Sequence, residues 1–258
     1  LNREDVERLG GLHNADEWIE IGKQMKESGV LFLLLTGGEP LIFPDFKRLY
    51  VELRKMGFII TINTNGTLLD EEWAKFFGAY KPRRINITLY GADENEYAQL
   101  CHYPDGFKQT IQGIRLLRKM DVDVKISCSI TKVNYKSLKR IFMIGEKLGV
   151  LVHIDPYMMP VVRERSKPFS EQTRVVPEDA ARVSVEALKL QFSETMFQQY
   201  VSQAIERVED PEFPRGDRHL SCLAGSCSFT VNWQGYMRPC VVMSEPSVSV
   251  FDKGFKVA

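Results

Sequence analysis

The segment Val30-Leu-Phe-Leu-Leu-Leu-Thr-Gly-Gly-Glu-Pro40 decides the fold. Its first six residues are an unbroken apolar run of strand length, the pattern of a strand buried on both faces of a parallel sheet. Apolar residues at helical spacing precede this run in Ala15–Ser28 and follow it in Phe46–Met56. The segment therefore predicts a strand between two helices, and this strand ends in a polar loop with two glycines.

The same alternation of strand and helix continues along the chain. Further strands are predicted at residues 58–63, 84–89, 122–131 and 150–155, and further helices at residues 70–77, 107–120 and 135–148. Consecutive strand–helix units require parallel strands with right-handed crossovers, so we predict an α/β sheet or barrel. A long helix is predicted over residues 177–208, with an interruption near residues 191–193. A change in composition after it places a domain boundary near Glu209, between residues 1–208 and 209–258.

The composition of the 258-residue chain excludes several classes of function. Lys plus Arg and Asp plus Glu both number 34, so a net charge of zero gives no attraction to nucleic acid or anionic lipid. No apolar run reaches the roughly 18 residues of a membrane helix, so no membrane partner is predicted. Five cysteines, three of them close to the C-terminus, favour metal binding over a disulfide framework. We expect a cytoplasmic protein.

Polar and flexible segments follow the first three predicted strands, at the ends where parallel sheets bind ligands. These segments are Thr36–Pro40, Asn63–Gly66 and Thr88–Gly91. Gly37 and Gly38 allow a ligand to approach the backbone closely, and the carboxylate of Glu39 suits an ammonium group. Together the three segments supply hydroxyls, amides, flexible backbone and a carboxylate, a set that fits a small zwitterionic ligand with a ribose.

Simpler interpretations of these segments remain open at this point. Gly-Gly and Asn-Gly are common turn formers, and either alone is more often a turn than a site. No Gly-x-Gly-x-x-Gly fingerprint follows the first strand, which disfavours a Rossmann dinucleotide site. No Lys-Ser or Lys-Thr follows the glycines, which argues against a P-loop.

Three motifs in order resemble the strand ends of the radical S-adenosylmethionine (radical SAM) barrel: Leu33-Leu-Leu-Thr-Gly-Gly-Glu-Pro-Leu41, Ile62-Asn-Thr-Asn-Gly66 and Ile87-Thr-Leu-Tyr-Gly91. The similarity runs over nearly the whole chain, and Gly-Gly-Glu-Pro is the second signature of that family. The resemblance implies a partial (β/α)6 TIM-like barrel, followed by a small cysteine-rich hairpin region.

The resemblance also implies which residues bind the cofactor S-adenosylmethionine (SAM). They are Gly37, Gly38, Glu39, Pro40, Asn63, Thr88 and Tyr90. Gly37–Glu39 would hold the amino group of the methionine part, and Asn63 and Thr88 would contact the ribose or the carboxylate. The segment Tyr97–Phe107 stands where relatives carry a further SAM-contacting residue, often Arg, and here it contains Cys101 and His102.

The first signature of the family, Cys-x-x-x-Cys-x-x-Cys, does not occur in this sequence. In relatives it ligates the catalytic [4Fe–4S] cluster and ends a few residues before the position of Leu1. We expect this motif to precede Leu1 in the full-length protein, so that the 258 residues alone would be inactive. A degenerate relative that never makes radicals is the alternative.

The C-terminal region resembles the opening half of a SPASM or twitch domain, in which thiolates bind an auxiliary iron–sulfur cluster. The motif is Cys222-x4-Cys227 followed by Gly235-Tyr-Met-Arg-Pro-Cys240. By this resemblance the metal ligands are Cys222, Cys227 and Cys240, and they hold an auxiliary [4Fe–4S] cluster. Such clusters usually take four thiolates, so the fourth ligand lies elsewhere. Zinc is the competing metal.

The family mechanism, as the resemblance implies it, is reductive cleavage of SAM to a 5′-deoxyadenosyl radical that abstracts hydrogen from the substrate. The implied partners are a ribosomal peptide or protein substrate and an electron donor such as flavodoxin or ferredoxin. Two alternatives are an enzyme of small-molecule cofactor biosynthesis, such as a tetrapyrrole modifier, and a non-catalytic scaffold that binds SAM or a peptide.

Three further residues have a structural interpretation. His153, at the end of the last predicted strand, is taken as a satisfied structural histidine, and a position facing the substrate is its alternative. Cys101 is as readily a packing residue as a functional one, and Cys128, inside a predicted strand, is assigned to the core.

Overall fold

The computed structural model describes residues 12–157, 173–209 and 224–258. In these ranges the strands are β1 (Phe32–Leu35), β2 (Ile59–Thr64), β3 (Arg84–Thr88), β4 (Val124–Ser129), β5 (Leu151–Asp155), β6 (Thr230–Val231), β7 (Tyr236–Arg238) and β8 (Val248–Ser249). The α-helices are α1 (Ala15–Glu27), α2 (Phe46–Lys55), α3 (Glu71–Ala79), α4 (Glu94–Cys101), α5 (Gly106–Lys119), α6 (Leu138–Leu148), α7 (Pro177–Gln191), α8 (Glu194–Glu209) and α9 (Val250–Lys253).

Strands β1 to β5 form a parallel sheet in sequential order, as the alternating pattern predicts. Sequential order with crossovers of one hand puts every connecting helix on the same face of the sheet. Alternating burial shows that face: Ile62, Ile87 and Ile126 are fully buried, whereas their neighbours along each strand are partly exposed. Each buried isoleucine stabilises the fold by about 1.5–3 kcal/mol. The α/β prediction is confirmed, with the sheet of a partial TIM-like barrel.

The open face of the sheet corrects the prediction for β1, which was expected to be buried on both faces. Phe32 and Leu34 are 69% and 53% exposed, whereas Leu33 and Leu35 pack against the core. In the described part of the chain, helices cover only one face of the sheet and β1 pairs with β2 alone. The apolar run therefore predicted the strand correctly, but the prediction that both of its faces are buried was wrong.

The ends of the helices follow local sequence signals. Asp70 caps α3 by accepting a hydrogen bond from the amide of Trp73 at 2.9 Å, as the sequence predicts. Asn14 and Glu17 form a capping box at the start of α1. The predicted interruption of the long C-terminal helix is also present, since α7 and α8 are separated at Phe192 and Ser193. In the described ranges no helix has the length and apolar character needed to cross a bilayer.

The C-terminal segment forms a small antiparallel sheet, β6–β7–β8, and the residues that follow the sheet contact α1. The ring of Phe251 stacks on His13 with centroids 3.6 Å apart and meets Trp18 edge-on at 5.1 Å. The backbone amide of Phe255 donates a hydrogen bond to the side-chain oxygen of Gln24 at 2.9 Å. The predicted division between residues 208 and 209 stays a prediction.

Candidate cofactor site at the strand ends

The seven residues predicted to bind a cofactor all lie at the carboxyl edge of β1, β2 and β3. Gly37–Pro40 follow β1, Asn63 is near the end of β2, and Thr88 ends β3. The register pairs Asn63 with Asn86 and Thr88 with Ser127, on the open face of the sheet. The side chains of Asn63 and Thr88 therefore share one face and one edge, beside the loop that contains Gly37 and Gly38.

Gly37 and Gly38 face open space. Within the described residues, and apart from the adjoining residues of the chain, no atom lies within 4 Å of the position that a β-carbon on either residue would take, and neither has a left-handed φ. Among the glycines of the described ranges, these two alone combine both properties. Backbone conformation and packing thus do not require glycine here, and the space that a β-carbon would fill is available to a ligand.

The carboxylate of Glu39 joins the loop after β1 to the end of β2. One oxygen accepts hydrogen bonds from the amide of Leu41 at 3.1 Å and from the hydroxyl of Thr64 at 2.7 Å. The other accepts one from the amide of Asn65 at 2.9 Å. Two carboxylate oxygens have about four lone-pair positions, so three internal donors leave room for one more. Glu39 therefore connects the loop after β1 to the end of β2, and its carboxylate can accept about one more hydrogen bond, such as one from an ammonium group.

Two asparagines lie side by side on the open face. Asn86 donates a hydrogen bond from its side-chain nitrogen to the Oδ1 of Asn63 at 2.8 Å. This leaves the side-chain nitrogen of Asn63 available to a ligand, since no contact to it is found in residues 12–157, 173–209 and 224–258. In the same ranges the buried Oδ1 of Asn86 has no partner. A buried amide oxygen without a donor costs free energy, so this row of side chains suits a bound polar molecule.

The turn after β3 is held by buried side chains. The amide of Tyr90 donates to the hydroxyl of Tyr97 at 3.4 Å, and the side-chain nitrogen of Asn134 donates to the carbonyl of Tyr90 at 2.8 Å. Thr110 extends the network by donating to the carbonyl of Asn65 at 3.0 Å, in the turn after β2. The turns after β2 and β3 are thus connected through side chains rather than only through the sheet.

The phenol of Tyr90 remains protonated at neutral pH. Burial raises its pKa, and the nearby Cys101 and Glu39 raise it further. Burial likewise raises the pKa of the Tyr97 hydroxyl and of the Cys101 thiol. These groups are therefore uncharged at neutral pH.

Four polar side chains in the carboxyl-terminal halves of β4 and β5 share the open face, and the sequence interpretation did not assign them to the site. They are Ser127, Ser129, His153 and Asp155. His153 is exposed and has no partner in the described ranges, so its interpretation as a satisfied structural histidine stays a prediction. The signal was the alternation along β4, in which Val124, Ile126 and Cys128 face the helices and the residues between them are polar.

The two isolated cysteines differ in environment. Cys128 is 1% exposed, which confirms its assignment to the core, and burial raises its pKa to about 12. Cys101 is partly buried at the end of α4. It packs against the core, so a packing role accounts for it.

The predicted auxiliary metal site is only partly within the described residues. Cys227 is exposed and Cys240 is partly buried, whereas Cys222 lies outside the described ranges. A β-carbon on Gly225 would lie 3.3 Å from Pro239, so the turn that contains Cys227 runs close to the residue before Cys240. In the part of the chain that the structure describes, no cluster of three or more His, Cys, Asp or Glu could hold a metal ion.

The chain is similar to curated enzymes of two kinds. The AdoMet-dependent heme synthase of Methanosarcina barkeri is 29% identical over 171 residues, 66% of this chain and 46% of that protein. A probable GTP 3′,8-cyclase of Pyrobaculum aerophilum is 25% identical over 146 residues, 55% of this chain and 47% of that protein. The chain thus spans about half the length of the curated relatives it matches.

Solved structures share the fold over nearly the whole chain. Streptococcus suis SuiB superposes with a TM-score of 0.68 at 18% identity, over 95% of this chain and 59% of that one. The structure of anSMEcpe with bound AdoMet superposes with a TM-score of 0.70 at 18% identity, over 96% of this chain and 71% of that one. The family model described as the radical SAM superfamily matches residues 3–142, more than half of the 258 residues, and the chain belongs to that superfamily.

Proposed function

We propose that the chain binds SAM at the carboxyl ends of β1, β2 and β3, as the SAM-binding part of a longer radical SAM enzyme. The observation that carries this proposal is the open space in front of Gly37 and Gly38, which neither φ nor packing explains. The backbone groups of this loop can reach the ammonium and carboxylate of an amino acid without obstruction. Asn63 and Thr88, on the adjoining open face, offer an amide and a hydroxyl to a ribose.

The residues at these strand ends fit this ligand, and each has a separate role in holding the loop or the ligand. Glu39 fixes the glycine loop against β2 and retains capacity for about one donor, such as an ammonium group. Pro40, buried at the start of the following turn, stiffens the exit of the loop. When bound, SAM and a reduced [4Fe–4S] cluster supply a 5′-deoxyadenosyl radical that abstracts hydrogen. The role of this chain is to orient the ligand and to keep water away from it.

We further propose that Cys222, Cys227 and Cys240 bind an auxiliary [4Fe–4S] cluster. The approach of the Gly225 turn to Pro239 supports this, because it brings the chain segments of Cys227 and Cys240 together. Zinc is the alternative, since three thiolates and one further ligand suit it as well. Metal analysis separates the two, because a cluster contributes about four irons with matching sulfide and broad visible absorbance.

The proposed substrate is a peptide or protein side chain. The open face near β4 and β5 is lined by hydroxyl, imidazole and carboxylate groups, which can pair with the amides of a peptide backbone. Two structures that share the fold were determined with peptides, SuiB with the precursor peptide SuiA and anSMEcpe with the Kp18Cys peptide. Flavodoxin or ferredoxin is the proposed electron donor.

A tetrapyrrole substrate is the second candidate. It is favoured by the 29% identity to the heme synthase of Methanosarcina barkeri, which exceeds the 18% identity to peptide-bound anSMEcpe and the 17% identity to peptide-bound SuiB. A large apolar macrocycle would need an apolar platform, which the polar ends of β4 and β5 do not provide. The first candidate therefore predicts that peptides stimulate the cleavage of SAM, and the second predicts that a tetrapyrrole does.

The test uses the reconstituted full-length gene product, reduced with dithionite in the presence of SAM. Formation of 5′-deoxyadenosine supports the radical reaction, and intact SAM with no iron in the protein would contradict it. Adding a pooled library of synthetic peptides or a carboxylated tetrapyrrole then separates the substrates. Stimulation by peptides alone supports the first candidate, and stimulation by the tetrapyrrole alone replaces it with the second.

A further inference from the structure

We propose that Asn134 and Glu96 are positioning residues for the cofactor site, because they fix the turn that follows Thr88. Both lie outside the motifs assigned to SAM binding. Asn134 is 0% exposed and Glu96 is 7% exposed. The inference rests on the proposed function, since it concerns the geometry of the same site.

Asn134 joins the ends of β3 and β4. Its side-chain nitrogen donates hydrogen bonds to the carbonyl of Tyr90 at 2.8 Å and to the carbonyl of Ser129 at 3.0 Å. Its side-chain oxygen accepts one from the amide of Thr131 at 2.8 Å. One buried side chain therefore satisfies backbone groups of two strand ends, and the separation of those ends depends on it.

Glu96 holds the same turn from the other side. One carboxylate oxygen accepts from the amide of Ala92 at 2.7 Å, and the other accepts from the hydroxyl of Ser137. A β-carbon on Gly91 would lie 2.4 Å from the Cβ of Glu96, so the turn lies directly on this side chain. Ser137 precedes α6, and the turn after β3 is thus connected to the segment that also carries Asn134.

The consequence concerns the predicted ligand contacts. The turn Tyr90–Ala92 has the amide and carbonyl of Tyr90 and the amide of Ala92 bound by buried side chains. Thr88 stands two residues before this turn and has no side-chain hydrogen bond in the described ranges. Its hydroxyl is therefore free for a ligand, while its backbone is held in place by Asn134 and Glu96 through the turn. Pre-organised groups of this kind bind more tightly because less ordering is needed on binding.

Asn134→Asp is the variant that tests the proposal. It keeps the shape of the side chain and replaces the donor nitrogen by an ionised oxygen that faces two carbonyls. We expect the affinity of the reconstituted full-length protein for SAM, measured by equilibrium dialysis, to fall about tenfold or more at neutral pH. Relative to wild type, the affinity should recover as the pH falls and the introduced carboxyl gains a proton, because a protonated carboxyl can donate again. Asn95→Asp, which adds the same charge at an exposed position of α4, is the control and should bind SAM like wild type.

Glu96→Gln provides an independent second variant, because its amide can still accept from Ala92 and donate to Ser137. Its affinity for SAM should stay within about threefold of that of wild type, because no buried donor or acceptor loses its hydrogen-bond partner. Hydrogen exchange at the amides of Tyr90 and Ala92, both of which are hydrogen-bonded to buried side chains, should speed up in Asn134→Asp and stay slow in Glu96→Gln. An affinity for SAM unchanged in Asn134→Asp, or a loss that does not depend on pH, would overturn the positioning role. Failure of the wild-type protein to bind SAM would instead contradict the proposed function.

Discussion

The loop after β1 and the turn after β3 both contain glycine and both border the candidate site, yet glycine is present for opposite reasons. At Gly91 a β-carbon would overlap Glu96, so packing requires glycine there. At Gly37 and Gly38 nothing within 4 Å requires it. The comparison separates a glycine that packing requires from glycines that the described contacts do not explain, a difference that sequence alone does not reveal.

The largest expected effect is the loss of stability on substitution in the turn Tyr90–Ala92, which follows β3. Gly91→Ala should lower the free energy of unfolding by about 2–3 kcal/mol, because the new methyl group must displace the buried side chain of Glu96. Urea denaturation measures the loss. The matched variant Gly37→Ala should change the same quantity by less than about 0.5 kcal/mol. Equal losses for the two variants would remove the distinction between the two regions.

A smaller effect is expected at Glu39, whose carboxylate connects the loop after β1 to the end of β2. Glu39→Gln leaves a single accepting oxygen for the donors Leu41, Thr64 and Asn65, so at least one buried donor loses its partner. The free energy of unfolding should fall by about 1–2 kcal/mol, measured by urea denaturation. Glu146→Gln, an exposed change of the same chemistry on α6, is the control. If both variants were equally stable, Glu39 would not be a structural connection.

Local sequence patterns were sufficient to predict the parallel sheet, and they placed the candidate site at one edge of it. Apolar runs separated by helical spacing predicted all five parallel strands, and polar segments after the first three predicted the site. The helix α4 was not predicted, because its eight residues Glu94–Cys101 carry little helical apolar spacing. Only the cap at Asp93, whose carboxylate accepts from the amide of Glu96 at 2.9 Å, marks its start.

What the sequence could not reveal depends on contacts between distant residues. Asn134 and Tyr90 are 44 positions apart, and Glu39 and Thr64 are 25 apart, so no local pattern relates them. The open face of β1 escaped prediction for a similar reason, since an apolar run does not tell how many faces are covered. Burial of polar partners is set by the packed sheet and not by spacing along the chain.

The smallest expected effect is a pH dependence of the free energy of unfolding. It arises from Asp93 at the start of α4, next to the turn Tyr90–Ala92. The amide of Glu96 and the guanidinium of Arg140 hold the pKa of Asp93 below its ordinary value. A lowered pKa in the folded state means that the ionised group stabilises the fold at neutral pH and that this contribution is lost as the pH falls below about 4. Because the side chain is 35% exposed, solvent screening limits the contribution to less than about 1 kcal/mol.

Asp93→Asn keeps a side chain that can cap α4 and removes the charge, so it isolates the contribution of the charge to the free energy of unfolding. The free energy of unfolding of the variant should be lower than that of wild type near neutral pH, and the difference should shrink as the pH falls toward about 3. Urea denaturation at a series of pH values measures it. A difference that stays constant with pH would show that the charge of Asp93 contributes nothing to the fold.

The most direct test of the account is the affinity of the reconstituted full-length protein for SAM, measured by equilibrium dialysis for wild type, Gly37→Ala and Gly38→Ala. If SAM occupies the space in front of the two glycines, each added methyl group should weaken binding about tenfold or more, with the free energy of unfolding unchanged within about 0.5 kcal/mol. Variants that bind SAM as tightly as wild type would show that the open loop is not the cofactor site.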